Sequence, residues 1–315
     1  MKKALITGVC GFTGGHLTEY LSKSDIEIFG LDLPLDGGSY FDHLKYVGKM
    51  YHADIRDRNA IFKIIEATKP HYVFHLAGLI GDNDLESLFE TNVFGTQNVL
   101  EAARTIDAKI LIPGSAAEYG AVPEDKLPIS ETTPLYPINN YGISKVAQTL
   151  LGFQYFYRYQ CKIHIARPFN IFGPREPKNL VCSTIAQQIA KNEQKQVESG
   201  VIHVGNIESK RDFIDVRDVV EAYWLIINKG VPGEIYNVCS AKAYSIREIL
   251  TLFQELSKRT FTIKQDPHRI RGVDIPINFG SNEKIRDATG WYPKRNLSKT
   301  LLDLLEHYRR KSVSR

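Results

Sequence analysis

The chain has 315 residues, 43% of them hydrophobic, enough for a large core in one or two domains. Its formal net charge of +4 is mild and evenly spread, so nothing argues for a nucleic-acid partner. Cys10, Cys161, Cys182 and Cys239 have neither metal-ligand spacing nor the pattern of a disulfide framework, and no stretch approaches the roughly 18 apolar residues that span a membrane.

In chain order, the opening MKKALITGVCGF reads as a buried strand and turn, not a signal peptide. Apolar runs at 3–7, 27–32, 50–54, 72–78 and 109–115 read as strands, with helical patterns at 57–68 and 86–106 between them. Such alternation implies βαβ units around a buried parallel sheet. A long helix is expected over 141–160 and another strand over 161–168. Beyond Phe169 turns such as FGPREP and NKGVPGE break the chain into a smaller α/β region. Helices are expected there near 181–191, 216–228 and 246–257, and strands near 201–204 and 235–239. The basic tail HYRRKSVSR reads as a frayed, solvated terminus. The expectation is a cytoplasmic protein with no metal, nucleic-acid or membrane partner.

Two stretches carry chemistry. The first strand runs into ITGVCGFTGGHLTEYL, where Gly8, Gly11 and Gly14 recur at every third residue before a helix. Glycines there permit a tight turn and a close approach of pyrophosphate to the helix N-terminus. Asp32 ends the second strand, about 20 residues on, where a carboxylate bonds the ribose hydroxyls of NAD. It would repel a 2′-phosphate, and no arginine follows directly, so NAD is favoured and NADP remains open. The second stretch is YGISK: Tyr141 and Lys145 are four apart and share a helix face.

With both stretches in place, the chain resembles the extended short-chain dehydrogenase/reductases that act on nucleotide-diphosphate sugars, the NAD-dependent epimerase/dehydratase family. TGVCGFTG, HADI, HLAG and TNVFGT are similar to its cofactor-side segments, and RPFNIFGPRE and RDFIDVRDVVEAYW to its sugar-nucleotide half. The resemblance implies a doubly wound Rossmann-type sheet in 1–169 and a sugar-nucleotide region in 170–315, with later segments free to return to the sheet. It implies cofactor contacts at Gly8, Gly11, Phe12, Thr13, Gly14, Asp32, Asp54, Ile55, Leu76, Ala77, Gly78 and Asn92, besides Tyr141 and Lys145. Tyr141 would be the acid/base, Lys145 its partner and Ser115 the third member, bonding the same sugar oxygen. A nearby ammonium and the cofactor's positive ring are expected to lower the tyrosine pKa from about 10. Substrate contacts fall to Ser115, Tyr141, Asn170, Arg211, Arg271 and Asp274, although Gly272 stands where the family usually has proline. The loop 79–87 is shorter than in the reductase relatives. The helices near 86–104 and 152–160 would pair across a homodimer.

The residues after Ser115 narrow the reaction. Family members that eliminate or decarboxylate resemble one another in an acidic residue two places on; here Ala116 and Ala117 stand there. Glu118 follows and, in an extended stretch, would point away from Ala117's side. Hydride transfer without elimination remains. The C-terminal half is most similar to members that use GDP-linked deoxyhexoses, which favours a 4-keto reductase; Asp32 leans toward a 4-epimerase that retains NAD. A non-catalytic dinucleotide sensor is the rival class, and such relatives lose the Tyr or Lys that this chain keeps.

Overall fold

The apolar runs of the first half build one sheet. The computed structural model describes residues 1–34, 42–81, 83–195, 199–269 and 275–313. Its strands begin with β1 (Lys2–Thr7), β2 (Ile26–Asp32), β3 (Lys49–His52), β4 (Tyr72–His75), β5 (Lys109–Pro113), β6 (Lys162–Pro168) and β7 (Asn170–Phe172). They continue as β8 (Ser199–Val204), β9 (Lys210–Arg211), β10 (Phe213–Asp215), β11 (Ile235–Val238), β12 (Tyr244–Ser245), β13 (Thr260–Gln265) and β14 (Ile277–Asn278). The helices are α1 (Phe12–Leu21), α2 (Arg58–Thr68), α3 (Leu85–Leu88), α4 (Thr96–Ala103), α5 (Asn140–Tyr159), α6 (Val181–Gln194), α7 (Val216–Lys229), α8 (Ile246–Leu256), α9 (Glu283–Thr289) and α10 (Leu297–Val313).

The main sheet has the order β11-β6-β5-β4-β1-β2-β3, with every neighbouring pair parallel. Both faces are covered, which is why β1 reads as an unbroken apolar run. Its side chains alternate: Ala4 and Ile6 join the core beneath α1 and α7, while Leu5 faces α2, α4 and α5. Each fully buried Leu or Ile contributes about 1.5–3 kcal/mol. The strand order reverses between β1 and β4, so their carboxyl ends open a crevice at a topological switch point. Thr7 and His75 sit opposite each other there.

The chain leaves the sheet after β6 and returns to it. Helix α7 supplies Val219, Tyr223 and Ile226 to the first core, and β11 extends the sheet beside β6. A second lobe forms where α6, α8 and α10 bury Ile185, Ile189, Phe253, Leu301 and Leu304 with Ile202 of β8. Its strand β13, paired with β8, was not among the expected elements.

The helix expected over 86–106 is present but not uniform. Between α3 and α4 the backbone widens into a π-helical turn over Phe89–Gly95. That turn carries Asn92, whose amide bonds the loop after β4 and α5; π-turns are frequent at functional sites.

Candidate active site

The glycine turn and Asp32 meet as their spacing implied. Gly8 has φ of +70°, and a Cβ there would lie 2.8 Å from the Ala77 nitrogen, so only glycine fits between β1 and the loop after β4. Gly11 starts α1, aiming the amides of Phe12, Thr13 and Gly14 out of the crevice end of the helix. Asp32 accepts the Cys10 N–H at 2.7 Å and the Leu33 N–H at 2.9 Å, which fixes its carboxylate beside the turn. A bare-backbone cradle, a helix N-terminus and a carboxylate suited to a ribose diol match a dinucleotide. Further along the rim, Asp54 is gripped by its neighbour Arg56 at 2.7 Å, which holds the carboxyl below its usual range, and Ile55 is buried.

Leu76, Ala77 and Gly78 leave β4 along the crevice, where the Ala77 N–H donates to Thr7 Oγ1 at 3.1 Å. Asn92 ties this loop to α5. Its Oδ1 accepts from the Leu79 N–H at 2.8 Å, and its Nδ2 donates to Ser144 Oγ at 3.1 Å. Ser144 in turn donates to the Tyr141 carbonyl at 2.8 Å, locking the first turn of α5.

Tyr141 and Lys145 lie one turn apart on α5, and the turn that carries Ser115 packs against the start of that helix. Asn139 caps α5 by accepting the Gly142 N–H at 2.7 Å. A Cβ on Gly142 would lie 2.6 Å from the Ala117 carbonyl oxygen, so the glycine of YGISK lets the helix start against the turn that carries Ser115. Ser115, on that turn, is near enough to the Tyr141 phenol to draw its pKa down. Lys145 is buried, and its ammonium donates to Gln148 Oε1.

Burial works against one electrostatic expectation. Burial pushes the Tyr141 phenol up to about 12; the Ser115 hydrogen bond opposes this and the Glu118 carboxylate adds to it. Desolvation thus opposes the lowering that an ammonium and the cofactor's positive ring would bring. Burial lowers Lys145 to about 8 against the pull of Glu118, which leaves it mostly charged at neutral pH.

The turn after Ser115 is not extended either. Ala116–Glu118 form one 3-10 turn closed by a capping box between Ser115 and Glu118. Glu118 is fully buried, accepts from the Ser115 N–H at 2.8 Å and from Thr149 at 3.1 Å, and pairs with Arg167 at 2.7 Å. It is committed to structure. The strand alternation expected for an extended stretch does not apply to such a turn.

Asn170 and Arg211 form a separate group. Asn170 Nδ2 donates to the Asp212 carbonyl at 2.9 Å, and Arg211 donates to the Ile275 carbonyl at 2.6 Å. Arg271 and Asp274 lie outside the described residues. An unanticipated groove of about 400 Å³ runs along α6, lined by Lys178, Asn179, Gln187, Gln188, Lys191 and Arg269. Its signal in the sequence was the helical spacing of 184, 187/188 and 191. Among the described residues no group of three His, Cys, Asp or Glu is arranged to hold a metal, and no helix is long and apolar enough to cross a membrane.

Residues 5–304 match the protein family described as GDP-mannose 4,6 dehydratase. Over 313 residues, 98% of this chain and 97% of the relative, the sequence is 31% identical to the GDP-6-deoxy-D-mannose reductase of Pseudomonas aeruginosa. The solved structure of RMD from Pseudomonas aeruginosa complexed with NADPH superposes with a TM-score of 0.85 at 29% identity, covering 99% of this chain and 98% of that one. The Thermus thermophilus UDP-glucose 4-epimerase complexed with NAD gives a TM-score of 0.85 at 26% identity, covering 98% and 99%.

Proposed function

The chain belongs to the GDP-mannose 4,6 dehydratase family of short-chain dehydrogenase/reductases, and from that premise we propose that it reduces the 4-keto group of a GDP-4-keto-6-deoxyhexose. The observation that carries this reading is the turn after Ser115, where Ala116 and Ala117 stand beside Tyr141 and Lys145 and the one carboxylate, Glu118, is tied up by Arg167. When bound, a reduced nicotinamide supplies the hydride that adds to C4 of the sugar. Tyr141 delivers its proton to the C4 oxygen as negative charge develops there, giving the hydroxyl. Ser115 orients that oxygen, and the Lys145 ammonium stabilises the tyrosinate left behind. Ala117 offers no base for elimination, and Glu118 is tied to Arg167. The diphosphate end of the substrate is assigned to Asn170, Arg211 and the basic groove along α6, where guanidinium and ammonium groups suit phosphate oxygens.

The test is absorbance at 340 nm with GDP-4-keto-6-deoxy-mannose and each reduced cofactor in turn. We expect one cofactor oxidised per sugar, with NADH preferred. Asp32→Ala should narrow the preference for NADH over NADPH about tenfold, as two like charges 4 Å apart cost roughly 1–4 kcal/mol. A flat trace with both cofactors would favour the second reading, a 4-epimerase retaining NAD, which the Asp32 carboxylate supports.

The protein is further assigned as a homodimer through α5 and the α3–α4 segment. Phe94 and Leu150 on these adjacent helices are 54% and 57% exposed, unusual for large apolar side chains on neighbouring surfaces. Leu150→Asp is expected to halve the mass in sedimentation equilibrium; an unchanged mass would place the contact elsewhere.

A further inference from the structure

A continuous line of buried hydrogen bonds ends on the Lys145 ammonium. Lys145 Nζ donates to Gln148 Oε1, and Gln148 Nε2 donates to Thr96 Oγ1 at 2.6 Å. The Thr96 hydroxyl spends its one hydrogen on the Asn92 carbonyl, 2.6 Å away, so toward its other partners it can only accept. One of those is His75 Nε2 at 2.9 Å. On the far side of the ring, His75 Nδ1 lies 2.8 Å from Thr7 Oγ1, which already accepts the Ala77 N–H. Thr7 can give its one hydrogen to Nδ1, and in that arrangement His75 is neutral with its proton on Nε2. Burial agrees, lowering His75 to about 3. Thr7, His75, Thr96, Gln148 and Lys145 are all buried.

The order of donors leaves Gln148 one orientation. Its amide NH₂ must face Thr96, so its carbonyl must face Lys145. A glutamine on the next turn would otherwise be free to flip. We infer that Gln148 is the positioning residue of Lys145: held through Thr96 and His75, its carbonyl keeps the ammonium charged and in place at the crevice. The ammonium has three N–H groups, and one bond to Gln148 leaves two for the cofactor ribose and the crevice.

The other titratable groups facing Lys145 do not replace this contact. Glu118, from the turn after β5, favours the charged form at longer range but is paired with Arg167. His75, from β4, is neutral. Tyr141, on the same helix, has its phenol pKa pushed up by burial.

The inference rests on the proposed reaction only in supposing that Lys145 acts in its charged form. Its test reads the lysine directly, by NMR titration of enzyme labelled at lysine Cε, with Lys145→Met identifying the resonance. Gln148→Met, which removes the acceptor, should lower the Lys145 midpoint by about one pH unit or more, and Gln148→Glu should raise it by a similar amount. The alkaline limb of NADH binding, followed by fluorescence, should move the same way in each variant. A midpoint that stays put in both variants, or moves the same way in both, would overturn the role. If Gln148→Met does not fold, the nearly isosteric Gln148→Glu carries the test alone through its upward shift. Failure of the wild-type enzyme to reduce the keto sugar would sink the reaction assignment and leave this titration fully readable.

Discussion

Tyr141→Phe is expected to cut kcat for keto-sugar reduction by about 10²–10⁴-fold, far more than it weakens cofactor binding. The phenyl ring preserves the packing of the first turn of α5, whose hold on the rest of the site runs through backbone and Ser144 contacts. Only the hydroxyl is lost, and with it the proton donor. Hydride addition to a ketone without a donor leaves an alkoxide to be protonated by solvent. Stopped-flow oxidation of bound cofactor measures the chemical step, and fluorescence titration measures affinity. Unchanged turnover would remove Tyr141 from the chemical step; a wild-type enzyme with no turnover, whose function survives Tyr141→Phe with cofactor binding intact, would belong to the class of dinucleotide sensors.

The second large effect concerns stability. Arg167→Met should cost about 3–5 kcal/mol, the range for removing one partner of a buried ion pair. Arg167 lies on β6, and its side chain is 2% exposed against 0% for Glu118. It donates to Glu118 Oε2 at 2.8 Å and to the Tyr119 hydroxyl at 3.2 Å, and Tyr119 passes the connection to Asn237 of β11 at 2.7 Å. Methionine fills the space but strands a carboxylate where water cannot reach it. Urea denaturation should show a lower midpoint with an unchanged slope. Adding Glu118→Gln should recover most of the loss, because a neutral amide can still accept the Ser115 N–H without a counter-ion. A single-variant loss well under about 1 kcal/mol would mean the pair is solvated, as surface pairs are.

The sensitivity of that pair bears on chemistry as well as folding. Glu118 seats the Ser115 backbone, and Ser115 draws the Tyr141 pKa down. The residue that the dehydratase pattern would use as an acid is alanine, and the nearest carboxylate has been turned inward to hold the site together. In this chain the segment after Ser115 serves geometry rather than proton transfer.

Much of this was legible in the residues alone. Alternating apolar runs and amphipathic stretches determined a parallel α/β sheet, because a strand buried on both faces has to read as an unbroken apolar run. Three glycines after the first strand and Asp32 after the second determined a dinucleotide crevice, because those constraints are local to one βαβ unit. The four-residue spacing of Tyr141 and Lys145 put both on one helix face, and alanine at 117 excluded an acid there whatever the fold. What only the tertiary structure decided depends on residues far apart in the chain. The upward push on the Tyr141 phenol comes from desolvation, which is a property of the packed site and not of the YGISK segment. The direction of Glu118 is set by Arg167, 49 residues on. The single orientation of Gln148 is set by a hydroxyl 52 residues back and by a histidine on another strand. Periodicity records which face of an element is buried; it cannot record what waits on the other side, and the protonation of this site is settled there.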